Sequence, residues 1–391
     1  MPSGSSSPTV NPDFRPVLSQ PPPAPAAPAR TPVRHLYVHV PFCTHICPYC
    51  AFHKERNLTP AMNAFLPAFQ REVAWATAHF ALHPETIFFG GGTPTALSVS
   101  QLESLFSAWP FPHPREFTFE ANPLTLSPRK AAVLRAAGVN RISLGVQAFD
   151  DESLRLLGRT HRREGIHASL RALRAAGFAN INIDLMFSLP GQTPAAWEAT
   201  LREAIALQPD HISTYNLTYE EDTEFLQRFQ RGEFHQEESA NRRMAEAAMT
   251  LLEDAGFLQY EISNFARPGF ECLHNAAIWQ GADYLGLGPS ACSTVDGIRW
   301  KNLPHTSAYA DALMNTGTPP RELEPLTPAQ RRQESILLGL RTSQGIPAAW
   351  AAGTPSIRDL IEEGLLESSA GRYRLTRAGR LVADSITELL A

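Results

Sequence analysis

The residues with the most chemistry in them lie between His35 and Lys54, in the run His-Leu-Tyr-Val-His-Val-Pro-Phe-Cys-Thr-His-Ile-Cys-Pro-Tyr-Cys-Ala-Phe-His-Lys. Three of the five cysteines, Cys43, Cys47 and Cys50, fall there in a C-x3-C-x2-C spacing. Thiols so close along one loop are badly placed to pair as disulfides with each other. They are also one ligand short of a closed structural zinc site, unless His39, His45 or His53 completes the set; three unrelated core cysteines are the plainest alternative. An iron-sulfur cluster fits better. A [4Fe-4S] cluster normally takes four Cys thiolates, so three leave one iron open to an outside donor.

Such a loop needs a scaffold. Leu36, Val38 and Val40 alternate as in a strand, and Pro41 stops it. Onward to about residue 215, strand-like runs at 36–40, 86–89, 116–120, 141–147, 181–187 and 211–216 alternate with helical ones at 61–79, 99–107, 128–137, 162–176 and 194–207. Repeated βα units predict a parallel sheet with right-handed crossovers, here six strands in an incomplete barrel, a partial (β/α)6 TIM-like α/β fold. The chain divides into a Pro- and Ser-rich tail at 1–34, expected to be disordered, the barrel at 35–230, an extension and connector at 231–320, and a C-terminal unit at 321–391.

Ligand-binding residues of βα barrels collect where strands end. Gly90-Gly91-Gly92-Thr93-Pro94-Thr95 follows the second strand, and its glycines let backbone approach a ligand closely; no Gly-Lys-Ser/Thr follows, so it is not a P-loop. Glu120 ends the third strand, Gln147 the fourth, and Asp184 lies in the fifth. One polar side chain in an apolar strand reads as a satisfied core group; three at strand ends point to a shared ligand, with Arg159 as counter-charge.

C-x3-C-x2-C after a first strand is the signature of radical S-adenosylmethionine (SAM) proteins. Tyr-Val-His-Val-Pro-Phe-Cys, Gly-Gly-Gly-Thr-Pro-Thr, Phe-Glu-Ala-Asn-Pro, Arg-Ile-Ser-Leu-Gly-Val-Gln, Leu-Gly-Arg-x-His and Leu-Pro-Gly-Gln-Thr together resemble the oxygen-independent coproporphyrinogen III oxidase family and its haem-chaperone branch, from Tyr37 to the C-terminus. The resemblance implies that the open iron chelates the amino and carboxylate groups of SAM, and that an electron from the cluster cleaves SAM to a 5′-deoxyadenosyl radical. It also implies that Tyr37 and Tyr49 lie beside SAM, that the Gly91-Gly92-Thr93 backbone meets its amino group, and that Glu120, Gln147, Arg159 and Asp184 hold its ribose and methionine ends.

Past the barrel, residues 234–255 predict a long helix ended by Gly256. His274-Asn275-Ala276-Ala277-Ile278-Trp279 is similar to the His-Asn-x-x-Tyr-Trp of the haem-chaperone branch, whose His is implicated in holding haem; Ile278 replaces the Tyr. The alternative for His274 is a structural link between barrel and C-terminal unit. Cys292 stands where relatives often carry His, and it and Cys272 read as small buried cysteines, with haem ligation by Cys292 the rarer alternative. Residues 328–340, 356–363, a strand pair near 365–366 and 373–375, and a closing helix at 376–390 make a winged-helix-like α+β pattern. Its nine Arg are matched by nine Asp or Glu, so no phosphate-binding surface is expected and the unit reads as a lid or packing domain.

The chain has 391 residues and a net charge of −5, which gives no basic footprint for nucleic acid. No apolar run is long enough to span a membrane, and residues 1–34 lack the form of a secretory signal; with reduced thiols this points to the cytoplasm. Between the two branches, the oxidase extends its motif to C-x3-C-x2-C-x-C, whereas Phe52 stands here, and it carries an ordered N-terminal stretch over its substrate. Both departures favour a haem chaperone with haem-accepting partners, soluble or membrane-associated, and an electron donor. The alternatives are the oxidase, which decarboxylates two propionates of coproporphyrinogen III, and another radical SAM enzyme such as a methyltransferase.

Overall fold

The computed structural model describes residues 32–111, 113–351 and 356–390; the tail expected at 1–34 lies, up to residue 31, outside them. Six parallel strands follow the predicted order: β1 (Val33–Val40), β2 (Leu82–Gly91), β3 (Glu116–Ala121), β4 (Arg141–Gln147), β5 (Asn180–Phe187) and β6 (His211–Asn216). Their inner runs are buried on both faces, because crossover helices cover one side and the barrel interior the other. On β1 the parity is plain: Leu36, Val38 and Val40 are wholly buried in the main core, while His35, Tyr37 and His39 face partners inside the barrel.

The crossovers are α1 (Thr59–His79), α2 (Val99–Ser107), α3 (Pro128–Ala136), α4 (Asp151–Leu156), α5 (Arg163–Ala175) and α6 (Pro194–Ala206). Their starts are written in the sequence. Ser98, Ser127, Asp150 and Thr193 each accept a backbone N–H at the helix N-terminus.

The chain after the sixth strand completes both edges of this sheet. α7 (Glu224–Gln230) and α8 (Glu238–Asp254) lead to β7 (Leu258–Gln259) and β8 (Asn264–Ala266), which pair antiparallel onto β6. α9 (Leu273–Trp279) then precedes β9 (Leu285–Leu287), which pairs parallel to β1. The sheet order is therefore β9-β1-β2-β3-β4-β5-β6-β8-β7. α8 starts at Glu238, later than the predicted 234, because Phe234 is drawn into a side cluster with Phe225, Leu157 and Met186. Gly256 ends it at φ 84, as a left-handed stop requires.

β10 (Cys292–Val295), β11 (Ile298–Asn302) and β12 (Arg321–Pro325) form a separate antiparallel sheet, with α10 (Thr306–Thr316) between the last two. The C-terminal unit holds α11 (Pro328–Leu340), β13 (Ile346–Pro347), α12 (Ser356–Glu362), β14 (Leu366–Ser369), β15 (Arg372–Leu375), α13 (Arg377–Arg380) and α14 (Ala383–Leu390), around its own core of Ile336, Leu340, Leu360, Leu375 and Ile386. It is winged-helix-like, with one correction: the closing helix is broken between Arg380 and Ala383. Gly379 packs so closely that a Cβ there would stand 2.0 Å from the Leu365 carbonyl oxygen, so the first turn is held against the loop after α12. Among the described residues no helix is long and apolar enough to cross a membrane.

Candidate functional site

The cysteine loop leaves the C-terminal end of β1 and is closed at its base, where Phe42–Cys43 pairs parallel with Glu55–Arg56. Glu55 N–H donates to the Pro41 carbonyl at 2.7 Å and Asn57 N–H to that of Cys43 at 3.0 Å. Cys43, Cys47 and Cys50 are free and half-buried. Two neighbours support the loop. Gly158, at φ 64, lets the chain after α4 close on Pro48, where a Cβ would come within 2.6 Å of the ring. Phe225 of α7 donates its N–H to the Pro48 carbonyl at 3.1 Å and packs against Tyr49 at 6.1 Å between ring centroids.

A continuous set of hydrogen bonds joins two of the thiols. Cys43 Sγ lies 3.6 Å from Thr93 Oγ1, which accepts from Asn122 Nδ2 at 2.8 Å. Asn122 Oδ1 accepts from Arg159 Nη2, whose guanidinium also reaches the Gly145 carbonyl at 2.6 Å and, through Nη1, Cys47 Sγ at 3.7 Å. Asn122 stands in the quoted Glu-Ala-Asn-Pro motif, but nothing in its type or spacing marked it out; only the approach of β2, β3 and the Arg159 turn does.

The donor set fits an iron-sulfur cluster. Burial pushes the Cys43 thiol up to about 11 and raises that of Cys50, so the protein's own surroundings disfavour thiolates there. Positive iron bound to them would reverse that balance. Among the described residues no three His, Cys, Asp or Glu side chains stand together to hold a single metal ion. Thiols spread around a loop suit a cluster in which each binds a different iron.

The glycine turn beside this loop is built by close approach. Gly91 has φ 102, and a Cβ there would meet the His39 ring at 2.5 Å; one on Gly92 would meet the Pro41 carbonyl carbon at 2.7 Å. The amides of Gly92 and Thr93 donate to the carbonyls of Val40 and Phe42 at 2.9 and 2.8 Å. What the turn can offer a ligand is carbonyl oxygen, which suits an ammonium group.

Glu120 is inside the barrel, its carboxyl 3.1 Å from where a Cβ of Gly90 would stand. Burial, reinforced by the charge of Asp184, pushes it up to about 8. Gln147 sits at φ 71 after an irregularity in the β4–β5 pairing, which turns its amide toward Gly145 and the Arg159 cluster. Asp184 lies mid-strand, and both its oxygens accept within the core, from Asn182 Nδ2 at 2.8 Å and Ser143 Oγ at 3.0 Å. Tyr37 also faces inward, its ring stacked on Phe88 and its hydroxyl 3.2 Å from His39 Nδ1. The structure thus gathers Cys43, Cys47, Cys50, Tyr49, Thr93, Gln147 and Arg159 at the mouth, with Tyr37, Glu120 and Asp184 inside the barrel.

His274 lies elsewhere, among residues from the first halves of β2 and β3. Its Nδ1 is 2.9 Å from Thr86 Oγ1, its backbone N–H donates to Glu116 at 3.0 Å, and its buried Nε2 meets no hydrogen-bond partner among the described residues. Burial, then the charge of His35, pushes the imidazole down to about 3. Cys272 is fully buried with its thiol 3.4 Å from Glu116, and Cys292 pairs with Lys301 across β10 and β11.

A partial βα barrel that carries three thiols at the end of its first strand defines a class, and the chain is a radical SAM protein: residues 37–204 match the Radical SAM superfamily, and residues 326–382 match the HemN C-terminal domain. It is 37% identical over 374 residues to the heme chaperone HemW of Bacillus subtilis, covering 90% of this chain and 98% of that protein. The Escherichia coli heme chaperone HemW is 31% identical over 378 residues, 92% of this chain and 98% of that one. The structure of the E. coli radical SAM enzyme coproporphyrinogen III oxidase (HemN) superposes with a TM-score of 0.78 at 26% identity, over 93% of this chain and 91% of that one. The chain belongs to the HemW family.

Proposed function

We propose that the protein is a radical SAM-type haem chaperone, which holds a [4Fe-4S] cluster on Cys43, Cys47 and Cys50, takes SAM beside it, binds haem and passes it to acceptor proteins. The observation that carries this reading is similarity to proteins named heme chaperone HemW over 98% of their length, with the three-thiol loop at the barrel mouth. When bound, the cluster supplies an iron without a protein ligand, open to the amino and carboxylate groups of SAM.

The chain's own residues do the rest. The glycine-turn carbonyls take the ammonium end, Arg159 and Gln147 face the methionine end, and Glu120 and Asp184 face the ribose from inside the barrel, with Tyr37 and Tyr49 packing alongside. Glu120, raised by burial, is relieved when diol hydroxyls donate to it. An electron donor reaches the cluster from the exposed side of its loop, where Thr44, His45 and Ile46 meet solvent. His274 is a structural pin that opens to haem only if α9 moves. Three cluster-ready thiols suit a reducing compartment, the cytoplasm.

The likeness to coproporphyrinogen III oxidase supports a second reading, oxidative decarboxylation. Position 52 separates the two. The oxidase motif places a Cys there, whereas Phe52 is 71% exposed and can neither ligate nor donate a proton. Two measurements test the proposal. Anaerobically purified protein should carry about one four-iron cluster per chain, lost when Cys43, Cys47 and Cys50 are replaced by Ser; iron retained by that variant defeats the cluster assignment. The protein should bind haem and fail to rescue an oxidase-deficient strain grown without oxygen; rescue would establish the oxidase reading instead.

A further inference from the structure

α9 covers the inner sides of β2 and β3 near where those strands begin, and of its seven residues only His274 is fully buried. Polar contacts hold it at both ends. At its start Glu116 of β3 accepts from the Leu273 N–H at 2.8 Å, the His274 N–H at 3.0 Å and the Cys272 thiol at 3.4 Å, and the Tyr260 hydroxyl accepts from the Cys272 N–H at 3.2 Å. At its end Trp279 lies 5.3 Å beneath the guanidinium of Arg341, the residue directly after α11, and that guanidinium donates to Asp384 of α14 at 2.6 Å.

The floor under this helix is incompletely bonded. Among the described residues His274 Nε2, Thr118 Oγ1 and Arg141 Nε meet no hydrogen-bond partner, although none of the three side chains is more than 2% exposed. They stand together: Thr118 is level with Phe88 on one side and Arg141 on the other, the Phe88 ring lies 5.3 Å from that of His274, and the charge of Arg141 acts on both Cys272 and His274. A buried polar atom without a partner is costly, and water admitted by a lifted cover removes the cost. A helix that buries one side chain over such a floor is also the kind of segment that opens locally, ahead of the rest of the fold.

We propose that α9 is a gate over the barrel floor, latched by Glu116 on the barrel side and by Arg341 on the C-terminal unit, and that displacement of the C-terminal unit releases it. Arg341 makes that unit the handle, because one guanidinium ties α9 to both α11 and α14. Opening turns the His274 imidazole from buried to solvent-facing. The purpose of the gate rests on the haem-carrier reading above, since it sets when that imidazole is within reach of cargo; the motion does not.

Cys272 reports the motion, being wholly buried at the foot of α9. Full-length protein carrying its cluster is treated with excess maleimide without denaturant, and modification of the Cys272 peptide is followed by mass spectrometry beside the rate of global unfolding. In the wild type Cys272 should react at least about tenfold faster than the chain unfolds, as local opening requires. Arg341→Ala should raise that rate about two- to fivefold, the scale of a lost cation–π contact, and leave hydrogen exchange in β3–β5 unchanged, while Arg341→Lys, which keeps the cation, stays close to the wild type. Glu116→Gln, which leaves one acceptor oxygen at the other latch, should raise it too. Reaction of Cys272 only at the global unfolding rate, or an Arg341→Ala rate equal to that of the wild type, overturns the gate. The expected rates in a protein that fails to bind haem would keep the gate and remove the carrier reading; haem binding with Cys272 released only by global unfolding would do the reverse.

Discussion

Asn122 carries more than its side chain suggests, because it is the link through which β2, β3 and the Arg159 turn reach two cluster thiols. Asn122→Ala removes the acceptor for Arg159 and the donor to Thr93 together. Loss of such supporting contacts costs about 10- to 100-fold in metal affinity. The variant should therefore fold normally by circular dichroism and lose iron and sulfide to a chelator far faster than the parent; equal retention would show that the bond network does not hold the cluster. Asp184 makes the opposite case. Both its oxygens are already taken by Asn182 and Ser143, so Asp184→Asn should reduce stability, by about 1–3 kcal/mol for a disturbed buried network, more than it reduces SAM affinity. Paired denaturation and SAM-binding titrations separate the two effects.

Glu72 shows how one residue of α1 fixes distant elements. It accepts from Gly288 N–H at 2.6 Å, Asn302 Nδ2 at 2.7 Å and Tyr309 OH at 2.6 Å, tying the end of β9, β11 and α10 to the barrel. Those donors favour the carboxylate, yet complete burial outweighs them and pushes the group up to about 7. An acid raised in the folded state binds a proton that the unfolded chain has released, so stability falls as pH rises from about 4.5 to about 7. Glu72→Gln should flatten that slope in urea denaturation across the same window; an unchanged slope would assign it to other groups. Glu72→Ala should cost about 3–5 kcal/mol, because it strands three buried donors. Gly92 sets the other contact at this scale. Gly92→Ala drives a methyl into the Pro41 backbone, which cannot yield as a side chain would, and should abolish cluster retention.

Across the whole molecule, the C-terminal unit keeps its own core and is joined to the rest by Ile262 and Leu381 packing across, by a backbone bridge between Glu261 and Thr342, and by polar side-chain contacts. Arg299 of β11 makes a two-pronged ion pair with Glu334 of α11, Arg341 lies 5.3 Å over the Trp279 ring, and Arg377 pairs with Glu253 of α8 at 2.6 Å. Arg299→Ala removes a half-buried bidentate pair, worth about 1–3 kcal/mol as charge-assisted hydrogen bonds. Hydrogen exchange should speed up in α11 and leave β2–β5 unchanged; uniform acceleration would mean that the two cores unfold together.

The amino-acid sequence alone determined whatever depends on local periodicity and local chemistry. The alternation of β1, the capped crossover helices and the spacing of Cys43, Cys47 and Cys50 all act within a few residues, so the parallel barrel and its thiol loop were legible at once. Tertiary structure decided what depends on which chains meet. Asn122 gained its place from strands that converge, and Glu72 from elements more than two hundred residues away. β9 joined β1 through a register that no short pattern records. Contacts of that kind are set by packing and burial over the whole chain, and neither propensity nor spacing along a single segment encodes them.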